Sequence, residues 1–228
     1  FTPAEERGAF EQLIDLIMAA WEKDPGAHVY HFGGYEPGAM KRLMGRYATR
    51  ENEVDRLLRG ERFVNLLTMV KQSLRASVES YSIKKLEEFY GFTREMDLKQ
   101  AGDTRALVER CLEIDALGTI TDEDRKIVAA YNRDDCVSTL RLRDWLETLR
   151  AELVTAGEGI PRPTPPKDEP SEKATERDER IRALIARLTK DVPDDRAERT
   201  PAQHGRWLLA HMLDFHRRED KVTWWEYF

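Results

Sequence analysis

Apolar side chains recur every three or four residues over most of the chain, which is the spacing of one buried face of an α-helix. The first such segment begins at Thr2-Pro3, an N-cap followed by a proline at the first helical position, and ends at Asp24-Pro25-Gly26. The same spacing predicts further helices over 36–44, 50–58, a stretch through Val70 and Leu74, 82–91, 105–117, 121–153, 177–188 and a last helix that begins at Thr200.

Two short apolar runs break this pattern and predict β-strands. Residues 27–32 are flanked by glycines, and residues 63–67 run directly into a helix. A complete sheet needs more strands than these two. The chain begins at Phe1 rather than Met and ends in an aromatic cluster, so we expect an excised piece whose missing strands precede Phe1. The expected fold class is α/β, dominated by helices in this piece.

Composition narrows the class of protein. Apolar residues make up 40% of the 228 residues, charged residues make up 35%, and the formal net charge is −6. The negative net charge argues against a protein whose whole surface is basic and binds nucleic acid, although it allows a local basic groove. No apolar run is long enough to cross a membrane. The two cysteines, Cys111 and Cys136, form no CxxC pair, which predicts reduced thiols and a cytoplasmic protein; we expect Cys136 to be a small core residue.

A change of composition predicts the domain limits. Residues 157–170 contain five prolines and few apolar side chains, which is typical of a linker. We therefore expect a first domain over 1–154, a proline-rich and charged linker over 155–176, and a small helical region over 177–228 that connects to a downstream domain.

Candidate chemistry lies on the long helix and at the end of the first strand. Tyr131 and Asp135 are four residues apart, close to one helical turn, so they share a face of the helix. Asp134 points about 100° away and is ranked lower. His31 ends the first strand, and two glycines later Tyr35-Glu36 place a carboxylate at the beginning of the next helix. A phenol and two carboxylates suit a site that holds a metal-bound water.

Each of these residues also has an ordinary structural interpretation. Tyr131 fits a half-buried helix aromatic, Asp135 a solvated helix acid, and Glu36 an acid that the helix dipole favours in a first turn. His31 fits a polar group at the end of a strand. Lys84 and Lys85 are candidates for phosphate contacts, and a solvated helix face explains them equally well.

Taken together, the motifs resemble those of the DEDD-type, RNase H-like 3′–5′ exonuclease domain of YprB-like proteins, found in predicted RecB-like nuclease–helicases. Tyr35-Glu36 resembles the second motif of that family, with Glu in place of the commoner Asp. The pair Tyr131 and Asp135 resembles the third motif in its tyrosine (DEDDy) variant. Residues 82–86 resemble the helix start between them, and residues 216–221 with 224–225 resemble the join to a helicase.

The resemblance implies an RNase H-like fold and hydrolysis of DNA or RNA with two Mg²⁺ or Mn²⁺ ions. Glu36 and Asp135 would be metal ligands, Tyr131 would orient the attacking water, and His31, Lys84 and Lys85 would contact nucleic acid. The family's first motif, Asp-x-Glu, has no counterpart before His31. We therefore expect it upstream of Phe1, so that this piece alone is inactive or impaired. A helicase or ATPase domain in the same chain is the implied partner.

Two interpretations without catalysis remain open. One is a nucleic-acid-binding or scaffold module of a helicase-like protein, which an absent Asp-x-Glu motif in the parent would favour. The other is a purely helical adaptor, which would have no strand and would hold Tyr131 far from Glu36.

Overall fold

A computed structural model describes residues 2–164, 166, 172–193 and 195–216. Helices dominate it. They are α1 (Pro3–Lys23), α2 (Tyr35–Tyr47), α3 (Glu51–Arg59), α4 (Leu66–Ser73), α5 (Ile83–Leu86), α6 (Leu98–Glu113), α7 (Asp122–Thr155), α8 (Glu172–Thr189) and α9 (Pro201–Met212), with 3₁₀ turns over Glu87–Tyr90, Leu117–Thr119 and Arg196–Glu198. No helix in these ranges combines the length and apolarity needed to span a bilayer.

Capping chemistry sets where the main helices begin. Thr2, Thr121 and Thr200 each accept a backbone hydrogen bond three residues into the helix, and an acid or amide side chain returns the bond to the cap. These capping boxes provide hydrogen-bond acceptors for backbone amides that have no partner within the first helical turn. The predicted beginnings of α1, α7 and α9 are confirmed for that reason.

The two predicted strands are present and form one small parallel sheet. Strand β1 (Val29–His31) pairs with β2 (Phe63–Asn65), and the register sets His31 opposite Asn65. Helices α2 and α3 form the connection between them. The helix-dominated α/β class is thereby confirmed, and a purely helical adaptor is wrong.

The core beside the sheet is an apolar cluster of four residues on three helices. Leu66 and Val70 of α4, Leu86 of α5 and Leu142 of α7 are buried together. Side chains from both strands, including Tyr30 and Val64, pack against this cluster. The burial fixes α7 against the sheet, which is what brings the candidate residues of the two elements into one neighbourhood.

Three details differ from the sequence predictions. Helix α6 begins at Leu98 rather than near 105, because the Asp97 carboxylate accepts from the backbone amides of Lys99 and Gln100 at 3.0 and 2.9 Å and caps the helix. Cys136 is exposed, not a core residue. Helix α8 begins at Glu172, so part of the segment 155–176 assigned to a linker is helical.

The proline-containing stretch after α7 lies against that helix. Arg150 donates to the carbonyl oxygen of Ile160 at 2.6 Å, and Arg162 pairs with Glu147, with one Nη–Oε distance of 3.0 Å. The beginning of the predicted linker is therefore held to the first domain rather than extended away from it.

The chain divides into two compact units, residues 1–166 and 167–228. In the second unit α8 and α9 pack together, and Arg177 pairs with Asp214 at 2.9 Å. The domain limits 1–154, 155–176 and 177–228 stay a prediction. The proposed join to a helicase falls mostly on 217–228, which lie outside the described residues.

Candidate active site

The carboxyl end of the sheet is tied together by one amide side chain. Just after β1, Gly33 has a φ of 99°, a conformation that favours glycine. Its backbone N–H donates to Oδ1 of Asn65, at the end of β2, at 3.1 Å. The same oxygen accepts from the N–H of Leu67 at 3.0 Å and caps α4. Asn65, which the sequence pattern did not indicate as functional, thus positions the turn that leads from β1 to Glu36.

His31 and Glu36 meet at this edge. Nδ1 of the buried His31 lies 3.5 Å from Oε2 of Glu36, in the first turn of α2, and neither atom has a hydrogen-bond partner. The distance is too long for a good hydrogen bond. The Glu36 side chain as a whole is 44% exposed, so its carboxylate is accessible from solvent.

Tyr131 and Asp135 share a half-buried face of α7, as their spacing predicts. Nζ of Lys84, on α5, donates to the Tyr131 hydroxyl at 3.2 Å and lies 5.3 Å from the ring centroid. Lys84 is thus joined to the candidate site through Tyr131. Lys85 points to a different partner and pairs with the exposed Glu79 at 3.3 Å.

An arginine that sequence reasoning missed joins Asp135 to a buried carboxylate. Nε and Nη2 of Arg94 donate to both oxygens of Glu87, at 3.0 and 2.6 Å. Nη1 of Arg94 lies 2.7 Å from Oδ1 of Asp135. The Arg94 side chain is only 7% exposed. Burial opposes its charge, but the hydrogen bonds to Glu87 and the close contact with the Asp135 carboxylate outweigh burial and raise the pKa of Arg94.

The Glu87 end of this network is completed by two hydroxyls. Ser138, fully buried on α7, donates to Oε1 of Glu87 at 2.8 Å, and its Oγ also lies 2.8 Å from the Tyr90 hydroxyl. Burial is the largest cause that raises the pKa of Tyr90, to about 12. The pattern of apolar positions gave no sign of this network, because a polar residue such as Ser138 on an amphipathic helix is expected to face solvent, whereas Ser138 is fully buried.

Asp134 has a structural role beside the candidate ligand. It is buried, and its Oδ2 accepts from the backbone amides of Glu95 and Met96 at 3.0 and 3.1 Å. These contacts hold the short segment that carries Arg94 against α7.

Helix α7, which carries Asp135, packs against β1, the strand that leads to Glu36. Burial raises the pKa of the Cys136 thiol, and the negative charges of Asp135 and Glu36 raise it further.

Several buried polar atoms of this cluster make ion-pair contacts but no hydrogen bond. Among the described residues, eight buried side-chain nitrogen or oxygen atoms lack a hydrogen bond, and four of them belong to His31, Glu36, Arg94 and Asp135. Unsatisfied buried polar atoms are rare and costly in folded proteins. Carboxylate oxygens of this kind suit a hard divalent cation such as Mg²⁺ or Mn²⁺, so the residues present fit part of a metal site. In the described part of the chain, no group of three or more His, Cys, Asp or Glu side chains completes it.

Comparison with sequence models of protein families gives a match over most of the chain. A sequence model of the RNase H superfamily matches residues 2–147, the part of the chain that carries all the candidate residues. No curated protein and no solved structure matches the chain.

Proposed function

The chain belongs to the RNase H superfamily, and we propose that it contributes the active site of a metal-dependent nuclease of the DEDDy 3′–5′ exonuclease type. The observation that carries the proposal is the placement of two accessible carboxylates. Helix α7, which carries Asp135, packs against β1, and Glu36 follows β1 in the first turn of α2; their side chains are 36% and 44% exposed. Tyr131 lies one turn before Asp135 on the same face of α7, as the tyrosine variant of the family requires.

The proposal gives each residue a task. Glu36 and Asp135 hold the divalent cations, Mg²⁺ or Mn²⁺. When bound, such ions activate a water and stabilise the leaving oxygen in phosphodiester hydrolysis. Tyr131 orients the attacking water, and Lys84 fixes the direction of the Tyr131 hydroxyl by its hydrogen bond. Lys84 and Lys85 contribute the contacts with DNA or RNA and supply positive charge for phosphates. His31, also expected from the resemblance to contact nucleic acid, is buried and faces Glu36 instead.

A two-metal site needs more acids than these two. The proposal therefore requires an Asp-x-Glu motif on a strand next to β1, where its carboxylates would face the same edge as Glu36. The remaining parts of the proposal are a helicase or ATPase domain in the same protein and a cytoplasmic location. They rest on the family resemblance and on the cysteine content described above.

The test is cleavage of 5′-labelled single-stranded DNA and RNA by the full-length gene product, with Mg²⁺ or Mn²⁺ and with a chelator. We expect Asp135→Asn to lower the metal-dependent rate by about 100-fold or more, since even residues outside the ligand shell change metal sites by about 10–100-fold. Asp144→Asn is the matched control, because Asp144 lies on the same helix, half exposed and paired with Arg143.

5′-labelled products that become shorter by one nucleotide at a time indicate 3′–5′ polarity. Equal rates for Asp135→Asn and Asp144→Asn would refute the assignment of Asp135. The absence of any metal-dependent cleavage by the full-length protein would refute the nuclease.

A second candidate function is a non-catalytic nucleic-acid-binding module. It is favoured by the ion pair of Asp135 with Arg94 and by the lack of a three-residue metal group among the described residues. Binding of the labelled oligonucleotide without cleavage, unchanged by chelator and by Asp135→Asn, would support this function.

A further inference from the structure

Arg94 contacts two carboxylates in two different ways. With Glu87 it forms two parallel hydrogen bonds, and both side chains are at least nine-tenths buried. With Asp135 it forms a close contact of 2.7 Å in which neither atom makes a hydrogen bond, and the Asp135 side chain is 36% exposed. Glu87 is therefore the firm anchor of the guanidinium, and Asp135 is the looser and more accessible partner.

The charges of the three groups do not balance. One guanidinium is shared by two carboxylates, so Asp135 is only partly neutralised. Arg94 in turn stays charged, because a guanidinium does not lose its proton in proteins. A divalent cation that approaches Asp135 thus meets a fixed positive charge already in contact with the carboxylate.

We propose that Arg94 is a resident counter-cation of Asp135, which a divalent cation must displace before Asp135 can act as a metal ligand. Since it names Asp135 as a ligand, this inference rests on the proposed function. Displacement leaves no buried charge without a partner, because Glu87 keeps Arg94 when the contact with Asp135 opens. Ser138 and Tyr90 support Glu87 from the other side and keep the anchor in place.

The consequence is a site that is held in shape without metal but binds metal weakly. Arg94 directs the Asp135 carboxylate when no ion is present, and its charge lowers the affinity for ions. Arg94 is thereby a positioning residue that acts on Asp135 and does not itself contact the reacting atoms.

Equilibrium binding of Mn²⁺ to the metal-stripped full-length protein, measured by the electron paramagnetic resonance of free Mn²⁺, tests the proposal without any need for catalysis. We expect Arg94→Gln to bind Mn²⁺ about tenfold more tightly than the wild type, since a repulsive charge near the ion is removed. Arg133→Gln is the matched control; Arg133 lies two residues before Asp135 and pairs with Glu95 at the surface, so its replacement should leave the affinity unchanged.

Arg94→Gln leaves Glu87 buried without its cation, which endangers folding. The double variant Glu87→Gln, Arg94→Gln removes both charges of the buried pair and is measured beside it. Tighter Mn²⁺ binding by either folded variant, including binding where the wild type binds none, supports the proposal. Equal or weaker binding, or no binding by the double variant, overturns it. The nuclease proposal is decided separately by the cleavage assay with Asp135→Asn.

Discussion

Two neighbouring positions of α7 are buried to the same extent and meet opposite surroundings. Ser138 and Leu142, one turn apart, are both fully buried. Ser138 lies in the polar network of Glu87 and Tyr90, whereas Leu142 lies in the apolar cluster beside the sheet. The same division runs through consecutive residues of the opposing segment, where Leu86 enters the apolar cluster and Glu87 the network.

The difference shows how one helix performs two tasks. The apolar half fixes the position of α7, since burial of apolar area stabilises without a strict requirement for direction. In the polar half, each hydrogen bond contributes little net stability, but a buried polar group left without its partner costs free energy. This requirement fixes the orientation of Arg94 and Asp135. Substitutions in the two halves should therefore separate stability from metal binding.

The largest effect is expected in the apolar half. Leu142→Ala should lower the free energy of unfolding by about 3 kcal/mol, through lost burial and the cavity left behind. Urea denaturation measures the change, and Mn²⁺ affinity of the folded variant should stay at the wild-type value. Leu140→Ala, at a position that is 48% exposed on the same helix, is the control. A comparable loss for Leu140→Ala would show that helix propensity, rather than burial, causes the loss of stability.

A smaller effect is expected where the polar half is anchored to the backbone. Asp134→Ala should cost about 2 kcal/mol, because the partly buried amides of Glu95 and Met96 lose their acceptor. It should also change Mn²⁺ affinity, since those amides position Arg94. Asp134→Asn keeps an acceptor oxygen and should recover most of the loss. Equal destabilisation by Ala and Asn would mean that charge, and not the hydrogen bonds, matters here.

The smallest effect is expected at the far end of the network. Tyr90→Phe should cost about 1 kcal/mol at neutral pH, because the hydroxyl bonded to Ser138 is lost while Ser138 keeps Glu87. The pKa of Tyr90 is raised to about 12 in the folded protein, above the value of about 10 for an unfolded chain. The folded state then holds the proton more tightly, so stability falls as the pH rises through this interval.

Denaturation at pH 9 and pH 11 checks the sign. The wild type should lose more stability between these two values than Tyr90→Phe does. Tyr35→Phe, which removes a hydroxyl from a side chain that is 73% exposed, should behave like the wild type. A wild-type loss no greater than that of Tyr90→Phe would refute the contribution of this phenol.

Local signals in the sequence were sufficient for most of the fold. Capping boxes and apolar spacing located α1, α7 and α9, and two short apolar runs located the strands. The predicted beginning of α6 was wrong because the apolar spacing is weak there and Asp97 was not recognised as the N-cap. The prediction that Cys136 is a core residue was wrong, because a residue on an amphipathic helix is buried only if its side chain lies on the face towards the core.

The candidate site was only partly predictable, for a different reason. The spacing of Tyr131 and Asp135 is a local property of a helix, so sequence places them on one face. Arg94 lies in a connection with no periodicity, and its partners Glu87 and Asp135 lie on separate elements. Nothing local distinguishes such an arginine from the many that face solvent, so only the packed structure identifies it.

The shared acceptor at Asn65 has a consequence for the motions of the sheet edge. Gly33 and Leu67 donate their amides to one oxygen, although they leave different strands. If the Asn65 side chain rotates away, both amides lose their partner in the same event, so their exchange with solvent hydrogen is coupled. The turn that leads towards Glu36 and the beginning of α4 therefore open and close as one unit.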